Sequence, residues 1–155
     1  MEIMNNYSIT DVLTHREPMI LIDSIDQYDN ESCTCQVLIS DSSPFYQVTK
    51  KGVPSYIGCE YMAQSIAAFS GAQSLDEKKP VSIGFLLGSR KYESFQTYFT
   101  ISSQLSITVT QLYKEDSGLS VYDCDIYDGE KRLLAKAKIN VFQPEDPEEF
   151  IKDSA

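Results

Sequence analysis

Residues 56–75 read YIGCEYMAQSIAAFSGAQSL, and their only ionisable carboxylate is Glu60. The stretch has helical length and is apolar or small on nearly every face. Such a helix is normally enclosed by the rest of its fold. A lone carboxylate is costly to bury, so Glu60 is expected either to meet a partner or to perform chemistry. Pro54 followed by Ser55 marks the start of the helix, with Ser55 as its N-cap.

Upstream of the helix, SITDVLT (8–14) makes a short amphipathic turn or helix, and in HREP the ring of Pro18 pushes Glu17 towards an extended conformation. MILIDSIDQY (19–28) reads as a strand rich in branched residues and stopped by Asp29-Asn30. SCTCQVLIS (32–40) returns as its antiparallel partner, with Cys33, Cys35, Val37 and Ile39 on one face. Residues 40–54 read as irregular.

Downstream, DEKKP ends the helix and VSIGFLLGSRKYESF (81–95) is an apolar strand that turns polar, with Gly84 and Gly88 permitting a bulge. ISSQLSITVTQLY (101–113) alternates, with Leu105, Ile107 and Val109 on one face. LSVYDCDIY (119–127) is the next strand, and Asp128-Gly129 signals a two-residue hairpin. The last strand, KRLLAKAKINVF (131–142), turns Leu133, Ala135, Ala137, Ile139 and Val141 inward, and an acidic, solvated tail follows. Two strands, one buried helix and a run of antiparallel strands define an α+β fold in which a sheet must curl around one long central helix. No repeat or linker divides the chain, so residues 1–155 are expected to form a single domain.

The net charge of −10 argues against nucleic acid as a partner, because phosphate neutralisation supplies most of that affinity. It argues equally against an anionic membrane surface. Glu60, Gln64 and Gln73 make the helix too polar for a membrane span. The N-terminus lacks the pattern of a signal peptide, and a cytoplasmic protein is expected. The four cysteines, Cys33, Cys35, Cys59 and Cys124, lack zinc-ligand spacing and read as packing residues. Neither metal nor organic cofactor is expected. His15 is the one histidine and so the single imidazole candidate for acid–base work.

Several segments resemble a known family. LTHREPMILIDSI (13–25) resembles the HR-P-x-x-L-x-D opening of FabZ-type 3-hydroxyacyl-carrier-protein dehydratases, and GCEYMAQ (58–64) resembles their E-x-x-A-Q helix motif. GCEYMAQSIAAFSG, GFLLGSRKYE and INVFQP resemble, in turn, the ApeP-like dehydratases of aryl-polyene clusters. The resemblance implies a hot-dog fold, usually dimeric, with the active site at the subunit interface. FabZ-type enzymes carry a histidine in a G-H-F-P segment ahead of the helix; here that neighbourhood, SPFYQVTKKGVP (43–54), has none. The ApeP-like pattern also lacks G-H-F-P and has a histidine before the first strand, which makes His15 the catalytic residue by implication.

Dehydration of a 3-hydroxyacyl thioester to a trans-2-enoyl thioester needs a base at C2, an acid at the 3-hydroxyl and a donor to the thioester oxygen. His15 is the candidate base. Glu60, its pKa raised by desolvation, is the candidate acid. By resemblance to the Pro-Gly before the helix in dehydratases, the backbone N–H of Ser55 takes the oxyanion place. Gln64, one turn after Glu60 on the same face, is the candidate substrate-binding side chain that holds the carboxylate or a bound water. Plainer readings stand beside these: His15 as a structural residue, Glu60 paired with Arg16, Gln64 as a satisfied buried amide, and Tyr61, Met62, Ile66 and Phe69 as core or tunnel lining. The expected partners are an acyl carrier protein, with Lys50-Lys51 or Arg90-Lys91 as docking candidates, and further copies of this chain in a homodimer or higher homo-oligomer. The alternatives are a hot-dog acyl thioesterase or a non-catalytic acyl-binding or partner subunit.

Overall fold

The computed structural model describes residues 3–4, 7–14, 17–81 and 85–143, with the backbone alone for 3–4, 85–87 and 89–90. A short strand β1 (Ile3–Met4) and one turn of helix α1 (Ile9–Val12) precede the hairpin β2 (Ser24–Tyr28) and β3 (Ser32–Leu38). Strand β4 (Gly52–Pro54) runs through a 3-10 turn (Ser55–Ile57) into the long helix α2 (Gly58–Asp76). Then come β5 (Phe85–Ser94), β6 (Tyr98–Thr100), β7 (Gln104–Lys114), β8 (Leu119–Tyr127) and β9 (Leu133–Phe142). The main sheet is antiparallel in the order β1-β2-β3-β7-β8-β9-β5, and β4 pairs with β6 in a separate ribbon.

Register explains why the sheet has one apolar face. Cys35 lies opposite Ile107, Ile107 opposite Ile126, and Ile126 opposite Ala135. The next inward row runs Cys33, Val109, Cys124, Ala137. All eight are buried, and α2 lies across them with Tyr61, Met62, Ile66, Ala68, Phe69 and Ala72 equally enclosed. Enclosure of each large aliphatic or aromatic side chain stabilises the fold by about 1.5–3 kcal/mol. Phe69 is flanked by Tyr28 and Tyr122, each with its ring centroid 6.5 Å away. The intervening row, Thr34, Thr108, Asp125, Lys136, Glu93, faces outward and is polar throughout.

Four sequence expectations need correction. The strand expected from Met19 starts only at Ser24, because the Met19–Leu21 backbone bonds a helix side chain instead of a neighbouring strand. Residues 40–54 are not wholly irregular, since Gly52–Pro54 pairs with Tyr98–Thr100. Asp128-Gly129 does not make a two-residue hairpin. The Asp128 carboxylate accepts the N–H groups of Glu130 and Arg132 and the Arg132 guanidinium, which draws residues 128–132 into one loop with Lys131 at positive φ. Ser55 is not a side-chain N-cap: its hydroxyl donates to Ser94 Oγ at 3.1 Å. Gly84 lies outside the described residues, whereas the expected irregularity at Gly88 is a register shift between Leu86 and Gly88.

Candidate active site

Glu60 and Gln64 stand one helical turn apart on α2, and Tyr56 precedes them by the same spacing in the 3-10 turn. Gln64 is 1% exposed and fully engaged. Its Oε1 accepts the Leu21 N–H at 2.8 Å, and its Nε2 donates to the Met19 carbonyl at 2.7 Å and, at 3.5 Å, to Glu60 Oε1. The amide therefore serves as a clasp between α2 and the chain at 19–21, with the Glu60 carboxylate at its outer edge. An amide suits this place, because it offers a donor and an acceptor to a strand-like segment whose own partners are elsewhere.

Glu60 is exposed, contrary to the enclosure expected from its apolar neighbours. The helix faces that do bury carry no charge; Glu60 falls on the stripe that the chain itself leaves open. Next to it, Cys59, Ala63, Ala67, Ser70 and Ser74 form a half-buried row of small side chains along the same helix. His15 and Arg16 lie outside the described residues, as does the pairing of Glu60 or Asp23 with Arg16. Asp23 itself accepts the Leu38 N–H at 2.7 Å. Tyr61, Met62, Ile66 and Phe69, expected as core or tunnel lining, are core.

At the helix start the N–H expected as oxyanion donor already has a partner. The Ser55 N–H is spent on the Thr97 carbonyl at 2.9 Å, a bond that continues the β4–β6 pairing. It is therefore closed to a substrate. The Ser55 carbonyl accepts the Gly58 N–H and the Tyr92 hydroxyl. The Tyr56 N–H, next in the chain, bonds none of the described residues, as expected of an orphan donor in a first helical turn. Beside it is a cavity of about 290 Å³ lined by Pro54, Ser55, Tyr56, Tyr92, Ser94 and Tyr98 among others. Burial pushes the Tyr92 phenol well above the usual tyrosine range, so it is a donor throughout the working pH range. Sequence reasoning missed Tyr56 and Tyr92. The available signal was the glycine of GCE, which admits a neighbour no local pattern names.

All four cysteines are free, and Cys33 and Cys35 face each other in the core with sulfurs 3.9 Å apart. Burial and its Asp neighbours raise the Cys124 thiol, and the Cys35 contact and burial raise that of Cys33, so neither is a ready thiolate. Among the described residues no group of three His, Cys, Asp or Glu side chains could hold a metal, and no helix is long and apolar enough to cross a membrane.

An antiparallel sheet wrapped around one long helix, with a carboxylate in that helix's first turn, defines the hot-dog class. Within it, the chain belongs to the ApeP-like dehydratases: the family described as ApeP dehydratase matches residues 7–152. Among solved structures it resembles the dehydratase heterocomplex ApeI:P from Xenorhabdus doucetiae, at 26% identity over 96% of this chain and 97% of that one, with a TM-score of 0.87. It shares its fold with a hypothetical thioesterase crystallised with coenzyme A from Streptococcus pneumoniae (14% identity, 77% and 84% of the two chains, TM-score 0.62). The PaaI protein of E. coli has the same fold (10% identity, 76% and 80% of the two chains, TM-score 0.60). The comparison with curated proteins gives no match.

Proposed function

We propose that this chain dehydrates 3-hydroxyacyl thioesters, presented by an acyl carrier protein, to trans-2-enoyl thioesters in a cytoplasmic fatty-acid or aryl-polyene-type pathway. The observation that carries the reading is the Gln64 clasp. It touches the Glu60 carboxylate and fixes the backbone at Met19, four residues beyond His15 in the chain. In the proposed reaction His15 removes a proton from C2 and Glu60 delivers one to the 3-hydroxyl. The C3–O bond breaks, the C2=C3 double bond forms and water leaves. The thioester oxygen, which gains charge meanwhile, takes a hydrogen bond from the Tyr56 N–H in place of the occupied Ser55 N–H.

An exposed Glu60 calls for a second subunit, because elimination next to bulk water forfeits much of the electrostatic advantage of a closed site. The small-residue row on α2 and strand β5, terminal in the sheet order, supply a helix face and a strand edge for it. A second copy of this chain and a different hot-dog subunit, as in the heterocomplex relative, are the two candidates for that seat. The exposed pair Lys50-Lys51 is the proposed carrier-protein contact.

The test follows enoyl absorbance on a 3-hydroxyacyl thioester, with the chain alone and with a co-expressed subunit. Glu60→Gln is expected to abolish turnover, and His15→Ala to lower it at least ~10²-fold, the usual scale for one acid–base group. Free thiol released without enoyl product would instead identify a thioesterase.

A further inference from the structure

The Tyr92 hydroxyl donates to the Ser55 carbonyl, and that carbonyl belongs to the same peptide unit as the Tyr56 N–H. A trans peptide is planar, so its C=O and N–H point in opposite directions. Whatever fixes the carbonyl fixes the N–H as well. Tyr92 therefore holds the carbonyl on the helix side and leaves the N–H directed out of the first turn, and the cavity lined by Tyr56, Tyr92 and Tyr98 adjoins that turn.

Gly58 shows that room has been kept for this hydroxyl. A Cβ at Gly58 would fall 3.0 Å from Ile126 Cδ1 and 3.1 Å from Phe99 Cζ, and it would meet the Tyr92 oxygen closer still. The Gly58 N–H donates to the same Ser55 carbonyl, so that oxygen takes two donors. A carbonyl that accepts strong hydrogen bonds polarises its own amide and makes the attached N–H a better donor.

We propose that Tyr92 is a positioning residue for the dehydration: through the Ser55–Tyr56 peptide it aims and strengthens the N–H that receives charge from the thioester oxygen. The inference rests on the dehydratase reading for its reaction, but the hydrogen bond to the thioester is measurable without turnover. A direct oxyanion donor is worth about 10²–10³-fold in kcat, and a neighbour that strengthens it by roughly 10–30% accounts for a smaller share, about two- to eightfold.

The experiment compares wild type, Tyr92→Phe, Gly58→Ala and the double variant, each as the full chain in its active assembly. Crotonyl-pantetheine, the product-type thioester, is the spectroscopic probe. For Tyr92→Phe the expected result is a kcat lower by about two- to eightfold with KM unchanged, and a bound thioester carbonyl stretch moved back towards its free value. Gly58→Ala displaces the same hydroxyl, so it should give the same two changes, and the double variant should be no worse than either single one. An unchanged carbonyl stretch in Tyr92→Phe overturns the proposal, as does an unchanged kcat. So does a double variant whose loss is the product of the single losses. If wild type shifts the carbonyl but makes no enoyl product from hydroxyacyl substrate, the dehydratase reading fails and the Tyr92 relay stands.

Discussion

Gly71→Ala tests how helix α1 is seated. At an exposed helical site the change from glycine to alanine stabilises by about 0.8–1.0 kcal/mol, because the unfolded chain loses backbone freedom. Here the added methyl would fall 2.8 Å from Val12 C and 3.0 Å from Val12 Cα, and nearer still to the carbonyl oxygen. The obstacle is backbone rather than the end of a flexible side chain, and Val12 is fully buried. Inserting a methyl into such a contact typically costs about 1–3 kcal/mol. Because the obstacle is backbone, the upper part of that range, about 2–3 kcal/mol, applies, and subtracting the propensity gain leaves a net loss of about 1–2 kcal/mol. At roughly 2–4 °C per kcal/mol for a chain of this size, Tm should drop by about 2–8 °C. Thermal unfolding followed by far-UV circular dichroism gives the answer. A variant that melts above wild type would show that α1 does not rest on Gly71, and the sign alone decides.

Two further predictions follow from named bonds. Gln64→Leu strands the Leu21 N–H and the Met19 carbonyl; at about 1–3 kcal/mol for each unsatisfied group, urea unfolding should register a loss of about 2–6 kcal/mol. A loss under 1 kcal/mol would mean the 19–21 segment finds other partners. Burial pushes the Tyr122 phenol up to about 12, and burial together with Asp76 raises Tyr28 further. Both values lie above the unfolded value near 10, so stability is intact below about pH 10 and falls as pH rises towards about 12. Tyrosinate absorbance and Tm measured in parallel should show these phenols ionising together with unfolding; a Tm constant to pH 12 would refute the sign.

The inward faces of the sheet were legible because strands alternate with period two: Cys33, Cys35, Val37, Ile39 and the row of β7 lie where the pattern puts them. The central helix was legible for a different reason, its lack of charge. What composition could not tell is which helix faces the chain itself covers. Glu60 sits among apolar residues and yet is exposed, because a helix bare of charge can be covered by a second polypeptide as well as by its own sheet. Non-local hydrogen bonds were equally hidden. Ser55 has the composition of an N-cap, but the register of β4 against β6 takes its N–H to Thr97, and its hydroxyl turns to Ser94. Gln64 carried the right signal, a polar residue on a buried helix, without naming its partners.

Among the described residues, joints between the N-terminal segment and α2 run in opposite order along the two. Tyr7 donates to Asp76 Oδ1 at 2.6 Å at the end of the helix, Val12 lies against Gly71, and Met19 and Leu21 bond Gln64. Asp76 also receives the Tyr28 hydroxyl at 2.7 Å, so the first of these joints is tied into β2 as well. A carboxylate at a helix C-terminus is opposed by the helix dipole. Two phenol donors offset that opposition and give the residue a reason to be there. The segment thus descends the helix from its last turn towards Glu60, and His15 falls in sequence between the second joint and the third. If His15 and Glu60 act together as proposed, the helix that carries Glu60 also holds the chain at Val12 and Met19, on either side of His15 in sequence. Loss of a joint should then lower kcat without removing either catalytic group. Gly71→Ala, which disturbs the middle joint eleven residues from Glu60 in sequence, is the variant that separates this arrangement from a purely structural clamp. A variant that is less stable but turns over at the wild-type rate below its Tm would leave the joints to folding alone.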